Sequence, residues 1–354
     1  MGLNGGFLLD LNTLLMEQKM TRIALFNHKG GVSKTTSVFH LGWMLTNLGK
    51  RVLLVDGDSQ CNLSILTMGE AGFENHLQNT PENTIKEILK PAFKAQPKLL
   101  EPLDAVTHPQ NQNLHLIPGS FDLTEYDVSL GMSFGLNETI GTLSNLPGSF
   151  NFLIKKYEEK YNIDFTLIDL NPSLSAINQT LFLTSDYFIV PTSCDYFSKL
   201  AIKSLSTILP TWEKWAKTAR EIFKESSYPL NLKTPQYLGA IIQSFNIRNG
   251  EPTQANLEII NSIISVIDNS FTPSLSTQSM LLNDADNNFE IRIPDFNTLN
   301  ALYHQNRVPV FEITRQMMTN AGWFGQTLTT NETKIDSFRE EYEKMAKRII
   351  AYAV

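Results

Sequence analysis

The sequence predicts an α/β fold, a doubly wound and mostly parallel sheet flanked by helices. Three observations predict it. Six or seven short apolar runs alternate with helical stretches along the chain. A strand–loop–helix–strand unit opens the pattern over about 35 residues, the length of a βαβ crossover. A Gly-rich turn joins its first strand to its first helix, between Thr21-to-Asn27 and Thr35-to-Leu48.

The elements follow in order. TRIALFN, from Thr21, is a buried strand, and TTSVFHLGWMLTNL has helical spacing closed by Gly49-Lys50. RVLLVD, Arg51 to Asp56, is the second buried strand. Thr84 to Leu89 reads as a short helix, Leu114 to Pro118 as a strand, and Asn151 to Tyr161 as a charged amphipathic helix. FTLID from Phe165 and YFIV from Tyr187 are strands. Ser198 to Glu225 is helical, with a break expected at Pro210. A strand follows at Tyr237 to Phe245, a helix at Thr253 to Asn269, and short strands at Ile291 to Pro294 and Val310 to Ile313. The last helix, Lys334 to Tyr352, puts Ile335, Phe338, Tyr342, Met345 and Ile349 on one face. Gly69 to Pro81, Gln110 to Asn113 and Gly131 to Phe150 read as loops rich in Asn, Gln, Gly and Pro.

Composition bounds the function. With 354 residues, 42 % of them hydrophobic and 18 % charged, the chain builds a large core and is neither disordered nor fibrous. It divides into an N-terminal extension over 1–19, a main domain over 20–325 with insertions near 131–150 and 250–288, and a C-terminal amphipathic helix over 326–354 packed on that domain. The net charge of −7 argues against coating nucleic acid over the whole surface, while a local basic face stays open. Cys61 and Cys194 form neither a disulfide framework nor a CxxC zinc pair, which fits a reduced compartment. No run of 18 apolar residues exists. The Met1-to-Lys19 stretch lacks the features of a signal peptide, and Gly6 breaks the myristoylation pattern. It reads as a short helix or a loose arm, with Met20 as a second plausible start.

The stretch that carries chemistry is Lys29-Gly30-Gly31-Val32-Ser33-Lys34-Thr35-Thr36, between a strand and a helix. Glycines let backbone N–H groups turn inward around phosphate oxygens, and the helix N-terminus adds partial positive charge. Lys34 supplies a point charge to the β- and γ-phosphates, and the Thr35 hydroxyl can bind Mg²⁺. The usual G-x-x-x-x-G-K-[ST] pattern fails at His28 and Ser33, and an extra lysine, Lys29, stands five residues before Lys34. That is the deviant Walker A pattern, K-G-G-x-[GS]-K-T-T. His28 beside the loop is a lesser candidate for a chemical role; the alternative is a residue facing solvent or a partner. There is no HExxH, no GxSxG, and no ligand spacing among the six histidines.

With this motif the sequence resembles the ParA/MinD family of ATPases from Met20 to about Val310. Four more blocks run in the family's order, with one late block after them. Asp56 to Leu63 resembles D-x-D-P-Q-x-N, with Ser59 for Pro; Leu114 to Ser120 resembles L-x-L-I-P-S/G; Phe165 to Leu174 resembles the Walker B block, with Asn171 for its first Pro; Val190-Pro191 with Asp195-Tyr196-Phe197 resembles V-P-x-x-x-E-Y-F; and Arg307 to Val310 resembles the late G-x-P-V.

The resemblance implies a P-loop ATPase that uses ATP and Mg²⁺. Lys29 would be the signature lysine that reaches across a nucleotide-sandwich homodimer, Asp58 would orient the attacking water with Asp56 behind it, and Lys34 would hold the phosphates. The ATP-binding set is then Lys29, Gly30, Gly31, Val32, Ser33, Lys34, Thr35 and Thr36. Thr35 holds Mg²⁺ directly and Asp169 through water, the alternative for Asp169 being a helix cap. Asn246, Pro294 and Asp295 line the base by resemblance, against a plain turn and a strand-ending proline.

What such a switch acts on is open between two readings. The first is partition of DNA or positioning of cargo, with a ParB-like or adaptor partner that stimulates slow hydrolysis, in the cytoplasm of a bacterium and at its nucleoid where DNA is the track. Its DNA-contact candidates are Lys199, Lys203, Lys214, Lys217, Arg220 and Lys224, interleaved with Trp212 and Trp215; the alternative is a solvated face with the tryptophans inward. Met280 to Gly325 holds three basic and five acidic residues, a departure that counts against nonspecific DNA binding. The second reading is a nucleotide-gated regulator of a protein effector with no DNA track. The mixed charge of the last helix, Glu340, Glu341 and Glu343 beside Lys344, Lys347 and Arg348, counts against a membrane anchor.

Overall fold

The computed structural model describes residues 20–135, 143–248, 250–282 and 289–353. The expected N-terminal extension lies outside them, as do parts of both expected insertions. Among the described residues ten strands run β1 Thr21–Leu25, β2 Val52–Gly57, β3 Val106–His108, β4 Asn111–Ile117, β5 Phe165–Leu170, β6 Tyr187–Ser193, β7 Gln236–Gln243, β8 Ile247–Arg248, β9 Glu251–Pro252 and β10 Phe289–Ile293. Eight of them form one sheet in the order β10-β7-β6-β1-β5-β2-β4-β3, and β8 and β9 form a separate hairpin. Every pair in the large sheet is parallel except β3 with β4. The predicted architecture is therefore the observed one.

The first helices are α1 Lys34–Asn47, α2 Asn62–Met68, α3 Glu70–Asn79, α4 Ile85–Phe93, α5 Asp127–Phe134, α6 Ser149–Tyr161 and α7 Ala176–Thr184. Then come α8 Tyr196–Ile222, α9 Gln254–Val266, α10 Thr272–Ser276, α11 Leu299–Asn306, α12 Arg315–Asn320 and α13 Gly325–Ala353. Alternation along the strands divides the core in two. Ala24 of β1 and Leu53 of β2 face a cluster with α4 and α6 to α9, whereas Ile23 and Leu54 face one with α1, α11 and α13. α1 approaches the sheet closely at Gly42, where a Cβ would stand 2.8 Å from Leu54 Cδ2.

Four sequence expectations need correction. α8 runs unbroken through Pro210, because burial of Leu205, Leu209, Trp212 and Ala216 outweighs one lost backbone bond. Gly69 to Pro81 holds α3, a polar helix anchored only by Phe73, so its sequence carries little periodic signal. Asn111 to Asn113 belong to β4, paired with β3. Val310 to Glu312 is a 3₁₀ turn rather than a strand, since the Val310 N–H donates to His40 Nε2 at 3.0 Å instead of to a neighbouring strand. In the last helix Ile335, Phe338, Tyr342, Met345 and Ile349 are all buried against the α1 side of the core. Among the described residues no helix is long and apolar enough to cross a membrane.

Candidate functional site

The Gly-rich loop leaves the C-terminal end of β1, a central strand with neighbours on both sides, which is where ligands sit in open α/β sheets. Its turn needs two left-handed residues, Gly31 at φ 69° and Ser33 at φ 55°. Protein donors hold the loop by its carbonyl oxygens. Ser193 Oγ donates to Gly31 O at 3.0 Å, Gln243 Nε2 to Val32 O at 3.3 Å, and Lys34 Nζ to Lys29 O at 3.3 Å. Asn27 braces the approach, donating to Pro191 O at 2.9 Å and accepting from Lys29 N at 3.0 Å. Carbonyls held on the protein side leave the loop's N–H edge for an anion.

Thr35 and Asp169 meet across the site, with Thr35 Oγ1 donating to Asp169 Oδ2 at 2.6 Å. Asp169 Oδ1 is buried with no hydrogen-bond partner among the described residues. A hydroxyl and carboxylate oxygens are the hard donors Mg²⁺ prefers, so these residues fit that ion. Burial raises the Asp169 carboxyl above the usual range and the neighbouring Asp56 raises it further, against the pull of Thr35 and Lys34. Burial lowers Lys34, opposed by Asp169 and Asp58. Asp56 is wholly buried and pushed up to about 6 by that burial, although it accepts from Ser64 N at 2.8 Å and Ser64 Oγ at 2.6 Å. Asp58 caps the following turn, accepting from Gln60 N at 2.9 Å.

Gly30 to Thr36 and Asp58 line one cavity of 1020 Å³, whose far wall is Tyr303, His304 and Arg307. Pro294 and Asp295 instead line a smaller cleft of 90 Å³, shared with Ser33 and Thr36. Asn246 lines neither cavity: it is exposed, and its carbonyl accepts from Thr253 N and Asn256 Nδ2. Lys29 extends away from its own loop, its Nζ 2.7 Å from Asp195 Oδ2. That pairing, with Ser193 and Gln243, was missed from sequence. Asp195 stood in a recognised block without a role, and Ser193 and Gln243 end strands remote from the loop in sequence.

The basic candidates of α8 separate into two groups. Lys199, Lys203, Lys214 and Lys217 fall within an arc of about 60° at 100° per residue, Lys224 lies in the turn beyond the helix, and all but the half-buried Lys199 are exposed. Glu221 shares that arc, and Lys217 Nζ also reaches Gln278 Oε1 at 3.1 Å. Arg220 is not available for a phosphate. Its guanidinium donates to Glu213, to Asn231 O and to Lys233 O. Trp212 is buried, and Trp215 donates to Phe134 O at 3.1 Å, so both tryptophans face inward.

The chain is similar to known proteins in sequence and in fold. A family model described as an AAA domain matches residues 20–224. An uncharacterised protein of Mycobacterium tuberculosis is 32% identical over 192 residues, 54% of this chain and 52% of that protein. The chromosome-partitioning ATPase Soj of Thermus thermophilus is 30% identical over 203 residues, 56% of this chain and 64% of that one. The chain thus spans between half and two thirds of the length of these relatives. Among solved structures, an ATP complex of McdA from Cyanothece superposes with a TM-score of 0.63 at 17% identity, covering 94% of this chain and 97% of that one, a likeness of fold.

Proposed function

The chain belongs to the ParA/MinD family of P-loop ATPases, and from that premise we propose that it is an ATP-driven dimerisation switch serving DNA partition or cargo positioning. The observation that carries the reading is the doubled lysine of the loop, with Lys34 folded over it and Lys29 directed off it. Lys34 and the N–H edge of the loop bind the phosphates, and Thr35 with Asp169 holds Mg²⁺. When bound, the ion neutralises charge developing on the transferring phosphoryl group. Asp58, on the wall of the same cavity, orients the attacking water, and Asp56 fixes the turn that carries Asp58 through Ser64. Lys29 places its charge on the phosphates of a second copy. Large apolar side chains exposed just after the C-terminal ends of strands support a face-to-face dimer: Phe121 after β4, Leu174 after β5, and Tyr196, Phe197 and Leu200 after β6.

Molecular mass measured by light scattering with ATP–Mg²⁺ tests this. Wild type is expected as a dimer, Lys29→Ala as an ATP-binding monomer, and Lys34→Ala as a monomer that binds no ATP. A Lys29→Ala protein that dimerises and hydrolyses ATP normally removes the signature-lysine role.

For a DNA track the lysine face of α8 is the candidate, and anisotropy of a labelled random duplex with and without ATP–Mg²⁺ reads it. The acidic excess between 280 and 325 favours the second reading, in which the same switch gates a protein effector and no DNA binds.

A further inference from the structure

We propose that Asp195 is a positioning residue for Lys29, holding its ammonium on its own subunit until nucleotide on a second copy displaces it; this rests on the dimer reading above. Lys29 Nζ lies 2.7 Å from Asp195 Oδ2, and the pair is half-exposed, with side-chain accessibilities of 22% and 38%. The same carboxylate begins α8. Its Oδ1 accepts from Ser198 N at 2.9 Å, and its Oδ2 also accepts from Ser198 Oγ at 3.3 Å. One oxygen therefore caps a helix while the other binds the lysine. Burial would raise the Asp195 carboxyl, but Lys29 and Ser198 together hold it below the usual range, so it is charged at neutral pH.

The consequence is competition. A lysine that reaches a partner's phosphates must first leave Asp195, so the pair opposes dimerisation by whatever it contributes in the monomer. A half-exposed ion pair contributes little, which makes the restraint an adjustable threshold rather than a block. It also ties the phosphate loop to the first turn of α8, where Tyr196 and Phe197 are exposed at 63% and 69%. Release of Lys29 thus takes place beside the exposed apolar turn that a second copy would meet.

Asp195→Asn and Asp195→Ser both retain a good helix cap and remove the charge. For each full-length variant the measurements are the ATP concentration giving half-maximal dimer, the melting temperature, and the rate of reductive methylation of Lys29 without nucleotide. The expected result is a threshold about two- to fivefold lower, faster methylation of Lys29, and an unchanged melting temperature. A wild type that dimerises beside folded variants with an unchanged or higher threshold overturns this proposal alone. A wild type that stays monomeric with ATP–Mg²⁺ overturns the dimer reading and this role with it.

Discussion

Thr35 and Asp169 are 134 residues apart in the chain and joined by a 2.6 Å hydrogen bond that links the first turn of α1 to the end of β5. The bond sets a hydroxyl beside a buried carboxylate, a donor pair that would hold Mg²⁺. Asp169→Asn is expected to lower nucleotide affinity about 10- to 100-fold in Mg²⁺ and to change it little in EDTA. Calorimetric titration with ADP under both conditions checks this. An equal loss in EDTA would make Asp169 a structural cap only.

His40 supplies a pH dependence. It is fully buried in α1, its Nδ1 bonded to Thr36 O at 2.8 Å and its Nε2 accepting from Val310 N. Burial lowers its pKa from 6.5 to about 3. The unfolded chain takes up the proton below 6.5 while the folded one does not, so this stabilisation is complete above 6.5 and is lost as pH falls toward 3. Between pH 6.5 and 4 the loss amounts to about 3 kcal/mol. His40→Gln is expected to be less stable at pH 7 but to lose about that much less on acidification. Urea unfolding at pH 7 and pH 4 measures the difference.

Ser33 holds a left-handed backbone at φ 55° without a side-chain cap bond. A side chain there costs about 1 kcal/mol that glycine avoids. Ser33→Gly is expected to raise the melting temperature by about 1 to 2 °C for a chain of this size, with ATP binding retained. A lower melting temperature would mean that the serine makes a compensating contact.

Arg220 and Glu213 form a buried pair 2.7 Å apart, with side-chain accessibilities of 10% and 0%. Arg220→Ala leaves Glu213 unpaired and is expected to cost about 3–5 kcal/mol of stability. Lys203→Glu, on the exposed face of the same helix, is expected to leave stability within about 0.5 kcal/mol while weakening any salt-sensitive DNA binding. Denaturation and anisotropy titration on both variants separate the two roles, and the reverse pattern would return Arg220 to the DNA-contact set.

Much of this was legible in the sequence because the decisive signals are local. The motif from Lys29 to Thr36 is eight consecutive residues that run from the turn after β1 into the first turn of α1, and the buried strands are short unbroken apolar runs. What escaped was set by distant partners. Val310 looks like a strand residue until His40 takes its N–H, and Arg220 looks like one more cation of a basic helix until Glu213 is seen beneath it. α7 is hard to read from sequence, because its nine residues are buried nearly all round, Asn178, Thr180 and Thr184 along with Ile177 and Leu181, and show no one-sided apolar pattern. Asp195 needed Lys29, 166 residues away, before it acquired a role.

The close seat of Gly42 against Leu54 divides the molecule mechanically. α1 is pressed to the sheet on one side and pinned by Tyr342 of α13 on the other, where the His40 and Tyr342 rings stack at 5.1 Å. A helix gripped on both flanks in this way is a stator for the loop that opens it, so Lys34 and Thr35 keep a fixed seat relative to the sheet.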